Sequence, residues 1–341
     1  MFKSGYIAIL GAPNAGKSTL LNSILEEKLA AVSAKPQTTR KRFLGIYTTK
    51  TCQMIFLDTP GIHSSDKQLN QFMHQEVMEA ITDADVLVFL VSLDQELSEE
   101  LVRVHQWVQK KFPEKKRILV TNKVDLSHVT PATLSAVGGF GQAGAQGLDS
   151  RFPESRVAGS RGGNDVGRVI LRGQEVIVHF SGLENIPISS LTGEGIPDLL
   201  KKLEEFLSEG QAFYPEEDLT TENMRSIVAE IIREKAFENL HEEIPYGLAV
   251  EILKFKESVG APLAAPPTHI TANLVVERDS QKGMVIGKAG AMIKKIGSLA
   301  RADIEKLLDG KIFLELQVKV DKNWTKDPRR LAYYGYEIPR K

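Results

Sequence analysis

Cysteine is almost missing from this chain of 341 residues: Cys52 stands alone and can close no internal disulfide. That excludes a disulfide-stapled secreted scaffold and fits a reducing cytoplasm, with Cys52 read as a small buried side chain in a strand-like run. Excess charge is missing too. With 43 Lys and Arg against 44 Asp and Glu, the net charge of −1 carries no global footprint of a nucleic-acid partner, so such a partner has to be argued from local charge and motif. No stretch approaches the roughly 18 to 20 consecutive apolar residues of a membrane span. Met1-Phe2-Lys3-Ser4-Gly5 enters a strand almost at once, so no signal peptide is expected. The length suggests two domains.

What is present begins with Gly11-Ala12-Pro13-Asn14-Ala15-Gly16-Lys17-Ser18, between the apolar run Tyr6–Leu10 and the helix-like run Thr19–Leu25. Strand, G-x-x-x-x-G-K-S, helix is the setting a phosphate-binding P-loop needs. Gly11 and Gly16 permit backbone angles that a Cβ would forbid, so successive N–H groups can turn inward on an anion at the positive end of the helix. Lys17 would then reach the β- and γ-phosphates, and the Ser18 hydroxyl would ligate Mg²⁺. Next, Lys35-Pro36-Gln37-Thr38-Thr39-Arg40 reads as a polar loop before a strand over Arg42–Tyr47, and the strand Cys52–Leu57 ends in Asp58-Thr59-Pro60-Gly61. There a carboxylate can hold Mg²⁺ through water while the Gly61 N–H meets a γ-phosphate. A buried strand over Asp83–Val91 and a helical stretch Glu99–Phe112 lead to Arg117–Val120, which runs into Thr121-Asn122-Lys123-Val124-Asp125. The Asp125 carboxylate can accept from guanine N1–H and N2–H₂, a donor pair adenine does not offer, with Asn122 bracing the loops.

Together these motifs resemble those of TRAFAC-class GTPases. Ser189-Ser190-Leu191-Thr192-Gly193-Glu194-Gly195, after the strand Ile186–Ile188, is similar to that class's last guanine-contacting loop. The resemblance implies an α/β fold, a doubly wound and mostly parallel sheet with ligand at the carboxyl ends of its strands. It implies GTP contacts from Gly11 through Thr19 and from Asp58, Gly61, Asn122, Lys123, Asp125, Ser189, Ser190 and Leu191, with the Ser190 backbone N–H meeting guanine O6. Mg²⁺ would be held by Ser18, Asp58 and a switch I threonine, Thr39 or its neighbour Thr38, and catalysis would rest on Lys17, Thr39, Gly61 and Asn14. Position 62 departs from the Ras-like pattern: a glutamine there orients the attacking water, whereas this chain has Ile62. In related GTPases an asparagine placed like Asn14 helps hold K⁺, so the expectation is slow hydrolysis that K⁺ accelerates.

From about Ser135 to Gly173 glycine is dense, arginine appears without lysine, and no apolar period persists. The stretch reads as a disordered insertion, or as an Arg/Gly-rich nucleic-acid-binding segment, and it would weaken guanine binding if it replaced the usual crossover helix. Strand-like Glu175–Phe180 belongs either to it or to the sheet.

The first domain is expected over 1–208, a linker over 209–220 and a second domain over 221–341. That second domain opens on an amphipathic helix bearing Met224, Ile227, Val228, Ile231, Ile232 and Phe237, followed by strands over Gly247–Phe255 and Ile270–Val276 joined by a proline-rich connector through Pro266-Pro267. Then comes Met284-Val285-Ile286-Gly287-Lys288-Ala289-Gly290-Ala291-Met292-Ile293-Lys294-Lys295-Ile296, with a strand over Ile312–Val320 behind it. Helix, tight G-x-x-G turn, helix is how a KH domain clamps a nucleic-acid backbone. Gly287, Ala289 and Gly290 would admit the sugar-phosphate, Lys288, Lys294 and Lys295 would contact phosphates, and Ile286 and Ile293 would floor the groove. From Lys282 to Lys341 there are 14 basic against 7 acidic side chains, the local footprint that the whole chain lacks.

A GTPase followed by one type II KH domain resembles the Era family, bacterial GTPases of small-subunit assembly. Lys35–Arg40, Asp58-Thr59-Pro60-Gly61-Ile62-His63, Gln281-Lys282-Gly283 and Trp324–Arg330 carry the likeness. The family implies GTP and GDP as ligands and a grip on 16S rRNA near its 3′ end. It also implies work on the small ribosomal subunit, and a monomer in the cytoplasm with possible peripheral contact with the inner membrane. The rival readings are an RNA-binding protein with an inactive G domain and a tRNA-modification-type GTPase.

Overall fold

A computed structural model describes residues 1–33, 35, 38–62, 68–126, 176, 178–256 and 268–336. The glycine-dense stretch 135–173 and the connector through Pro266-Pro267 lie outside them.

In the first sheet the strand order is β2-β3-β1-β4-β5-β6, formed by β1 (Lys3–Gly11), β2 (Phe43–Thr48), β3 (Cys52–Asp58), β4 (Val86–Ser92), β5 (Lys116–Asn122) and β6 (Asn185–Pro187). Only β2 runs antiparallel to its neighbour on this path. Every residue of β3 and β4 is buried, which requires helices on both faces of the sheet. Helices α1 (Lys17–Leu25), α2 (Gln68–Asp83), α3 (Glu99–Lys111) and α4 (Ile196–Phe206) supply the cover. Helix α3 shows how local sequence sets an end: the Ser98 side chain accepts from the Leu101 N–H, with Glu99 and Glu100 in the first turn and Lys110 and Lys111 in the last, each matched to the helix dipole. The described residues of the strand-like Glu175–Phe180 do not form a strand. Val176 and 178–179 are helical, and the Phe180 N–H donates to the Val176 carbonyl at 3.0 Å. This i to i+4 spacing buries both side chains in the cluster with Phe89, while β6 takes the sheet position beside β5.

The stretch expected as a linker is fastened to the sheet. A short β7 (Ser208–Glu209) pairs antiparallel with β1. The Gln53 side chain accepts from the Phe213 and Tyr214 N–H groups at 2.7 and 3.0 Å and donates to the Tyr214 carbonyl at 2.9 Å. Further on, the Ile46 N–H reaches the Leu219 carbonyl at 2.8 Å.

The second sheet has order β10-β9-β8, from β8 (Ala249–Lys256), β9 (Thr268–Val276) and β10 (Ile312–Val320), with β9 and β10 parallel. Helices α5 (Met224–Asn239), α6 (Asp279–Ile286) and α7 (Ala291–Leu307) pack on it through Ile227, Ile231, Val285, Ile296, Ala300 and Ile304. A last helix, α8 (Pro328–Tyr333), belongs to a cluster that joins the domains: Leu69, Phe72 and Met73 of α2 pack with Ala249, Val275, Trp324, Leu331 and Tyr336. Among the described residues no helix is long and apolar enough to cross a membrane.

Candidate functional site

The carboxyl ends of β1, β3 and β5 converge on one cradle. Gly16 caps α1 with φ 97°, and a Cβ there would lie 2.3 Å from Asn122 Nδ2. Asn14 also adopts positive φ, at 63°. Lys17 is buried and folds back over the loop, its Nζ donating to the Gly11 and Ala12 carbonyls at 3.1 and 3.0 Å. Burial pushes its ammonium down to about 8, against the pull of Asp58. The anion this loop is shaped for would offer that buried cation a better partner than two neutral carbonyls.

Three hard oxygen donors meet beside Lys17. Ser18 Oγ donates to Asp58 Oδ2 at 2.6 Å and lies 2.9 Å from Thr39 Oγ1, which itself lies 3.5 Å from Asp58 Oδ2. Asp58 is fully buried and its Oδ1 has no partner. Burial raises its carboxyl to about 6, opposed by Lys17, Ser18 and Thr39. A buried carboxylate oxygen with nothing to accept, next to two hydroxyls, fits a small divalent cation with water ligands. Thr39 rather than Thr38 takes part, because the Thr38 hydroxyl donates to the Lys35 carbonyl at 2.8 Å. Gly61 closes tightly on the P-loop: a Cβ there would sit 2.8 Å from Pro13 Cα and N. The Ile62 N–H donates to the Gly11 carbonyl at 3.1 Å, and its side chain is buried with Leu57 and Val77 rather than facing a phosphate.

The base-side loops are tied to the cradle by Asn122. Its Nδ2 donates to the Ala15 carbonyl at 2.8 Å, and its Oδ1 accepts from the Ser190 N–H and hydroxyl, both at 2.9 Å. The Ser190 N–H expected to meet guanine O6 is therefore already committed, because the bracing amide sits within its reach. Asp125 Oδ1 accepts from Ser189 Oγ at 2.6 Å, and Lys123 Nζ pairs with Asp94 at 2.8 Å. A cavity of about 50 Å³ lies over the cradle, lined by Asn14, Lys17, Ser18, Thr39 and Gly61. A larger one of about 580 Å³ lies between the domains; it shares Thr39 with the first and is also lined by Asp58. Converging donors, not size, mark the first as the phosphate site.

In the second domain α6 breaks at Gly287, where φ is 73° and a Cβ would lie 2.7 Å from Met292 Cβ. Gly290 has φ 79° with nothing within 4 Å of a built Cβ, so the main chain is approachable there. Lys288, Lys294 and Lys295 are exposed around this turn, and Ile286 and Ile293 are half-buried beneath it. Sequence reading missed α2 and the burial of Arg40 and Arg233, whose partners are distant carbonyl groups that no local pattern announces.

Residues 6–123 match a family described as 50S ribosome-binding GTPase, and 243–325 match the KH domain family. The GTPase Era of Syntrophus aciditrophicus is 41% identical over 336 residues, covering 98% of this chain and 96% of that protein, and the GTPase Era of Geobacter metallireducens is 40% identical over 338 residues with 98% of each covered. The chain belongs to the Era family of GTPases. Two solved Era structures agree in fold, each 31% identical and covering 99% of this chain and 100% of theirs. One is Era with MgGDPNP and nucleotides 1506–1542 of 16S ribosomal RNA, at TM-score 0.79; the other is a variant of Aquifex aeolicus Era bound to GDP·AlF4⁻, at TM-score 0.78. This Era-family chain thus has a P-loop GTPase domain, built to bind a guanine nucleotide and hydrolyse GTP, and a KH domain.

Proposed function

We propose that this GTPase is a switch that binds 16S rRNA near its 3′ end through the G-K-A-G turn of its KH domain and assists small-subunit assembly in the cytoplasm. The observation that carries it is the meeting of Ser18, Thr39 and Asp58 beside Lys17 in a chain whose second domain presents Gly287 to Gly290 among exposed lysines. The solved complex of Era with a 16S fragment supports the choice of RNA. Ser18 and Thr39 would hold Mg²⁺ directly and Asp58 through water; bound there, the ion neutralises charge on the β- and γ-phosphates. Lys17 exchanges its carbonyl partners for phosphate oxygens, Gly61 offers its backbone to the γ-phosphate, and Asp125 reads the guanine edge. The Ser190 N–H would exchange Asn122 Oδ1 for guanine O6. Asn14 is assigned to K⁺, and turnover in K⁺ should exceed turnover in Na⁺ severalfold.

The test is GTP turnover by the full chain, together with binding of a 16S 3′-end oligonucleotide in the presence of a non-hydrolysable GTP analogue or GDP. GTP-selective turnover with nucleotide-dependent RNA binding is expected. Tight RNA binding without any turnover would favour the RNA-binding reading with an inactive G domain, and preference for tRNA over rRNA would remove the ribosomal assignment.

A further inference from the structure

The polar loop that carries Thr39 is gripped from its far side by the KH domain. Lys35 Nζ caps the end of α5, donating to the carbonyls of Phe237 at 2.6 Å, Glu238 at 3.3 Å and Leu240. The Val32 N–H donates to Glu234 Oε2 at 2.9 Å. Arg233, 1% exposed, donates to the Thr38 carbonyl while Glu230 holds its other side. Arg40, also 1% exposed, runs the other way, from the loop into the second domain. It donates to the carbonyls of Leu248 at 2.6 Å and of Pro245 and Tyr246 at 3.0 Å, between the rings of Phe237 and Tyr336. The atoms that Lys35, Arg40 and Arg233 reach across the domain boundary are main-chain carbonyls, so the grip fixes backbone position rather than merely matching charge.

The Thr38 carbonyl belongs to the peptide plane that leads into Thr39. A planar peptide held at its oxygen fixes the direction from which the next residue departs. Thr39 then faces the opposite way, with its hydroxyl 2.9 Å from Ser18 Oγ. Withdrawing Thr39 would turn that plane and strip a buried guanidinium of its carbonyl acceptor, and Arg233 already leaves Nη1 without a partner.

We propose that Arg233, with Arg40 as the return contact, is a positioning residue for GTP hydrolysis. The KH domain thereby sets the Thr39 hydroxyl, and the GTPase site is incomplete without it. This rests on the reading of Thr39 as a Mg²⁺ ligand. Losing one hydrogen bond to a charged donor in a buried setting corresponds to about a 10- to 100-fold effect.

The experiment compares Arg233→Met, Arg40→Met, Thr39→Ala and the double variant Arg233→Met/Thr39→Ala in the full chain. For each we would measure kcat and KM for GTP, GDP affinity, and the Mg²⁺ concentration at half-maximal turnover. Both arginine variants should lose about 10- to 100-fold in kcat and need more Mg²⁺, with GDP affinity within about threefold of wild type. The double variant should lose little beyond Thr39→Ala alone. Arg233→Lys keeps a cation able to reach Thr38 and should recover part of the rate. Should Arg233→Met fold poorly, Lys35→Met, cut at a half-buried position on the same loop, carries the same expectation. If Thr39→Ala lowers turnover while the arginine and Lys35 variants retain wild-type kcat and Mg²⁺ dependence, the positioning proposal is overturned. If Thr39→Ala itself has no effect, it is the assignment of Thr39 that fails.

Discussion

Asn122→Ala tests whether the cradle and the base loops form one unit. Asn122 is 1% exposed and holds the Ala15 carbonyl, the Ser190 N–H and the Ser190 hydroxyl at 2.8 to 2.9 Å. A neutral buried hydrogen bond contributes about 1 kcal/mol net, so truncation should cost about 3 kcal/mol, shared between folding and nucleotide binding. The loops must be realigned before a guanine nucleotide can span them. If most of that cost falls on binding, GDP affinity drops about 100-fold. Isothermal titration with GDP, paired with thermal unfolding of the nucleotide-free chain, separates the two shares. Asn122→Asp keeps an oxygen facing Ser190 but turns a buried carboxylate oxygen against the Ala15 carbonyl, so it should bind GDP no better than the alanine variant. An alanine variant within threefold of wild type in GDP affinity, and equally stable, would refute the idea that this side chain couples the loops.

Asp125→Asn replaces an acceptor with an amide that can donate to a C2 carbonyl, so GTP affinity should fall at least 100-fold while xanthosine triphosphate gains, as competition binding would read. Gly61→Ala puts a Cβ 2.8 Å from Pro13 backbone atoms, so the D-x-x-G loop must retreat; kcat should drop at least tenfold with GDP affinity unchanged, measured by turnover and titration. His105 is buried against Phe89 and Phe180, and burial, aided by Arg117, pushes its imidazole down to about 4. Its unfolded value near 6.5 is higher, so the unfolded chain binds the extra proton. Stability from this group is complete above pH 6.5 and is lost as pH falls toward 4, by about 3 kcal/mol at most. His105→Leu should flatten that slope in denaturation measured from pH 4 to 7.

What could be read beforehand was whatever is dictated by local backbone need or by strand burial. The P-loop, Asp58-Thr59-Pro60-Gly61 and Gly287 require glycine at places where a Cβ would collide, and Gly290 at a positive φ, and that requirement is visible in spacing alone. The runs that became β3 and β4 are buried throughout and, Gln53, Asp58 and Ser92 apart, apolar, because both faces are covered. Glu175–Phe180 shows the limit: a short run rich in β-branched residues reads as a strand, yet Val176 and Phe180 also fall one helical turn apart, and Phe89 and His105 pack against Phe180. Asn122 was legible as a brace but not the identity of what it braces: its Oδ1 accepts from the Ser190 N–H that the sequence reading turned toward guanine O6. The stretch 209–220 read as a linker, and Gln53, distant in sequence, is among the groups that fasten it to the first sheet.

Ile62 ties these strands of argument together. Its amide is bound to the Gly11 carbonyl and its side chain is buried, so it neither orients water nor could be replaced by a water-orienting residue without unpacking the core beside Leu57 and Val77. Hydrolysis here must depend on how accurately the remaining groups are held: Lys17, the Gly61 backbone and the Thr39 hydroxyl. Two of these lie on segments fixed within the first domain, Lys17 on α1 and Gly61 against Pro13. Thr39 alone sits on a loop whose anchors, Arg233, Glu234 and the carbonyls from Pro245 to Leu248, belong to the second domain. A site where Ile62 orients no water therefore has Thr39 in the hands of the KH domain, so a change in how that domain sits would reach the chemistry through Thr39 first.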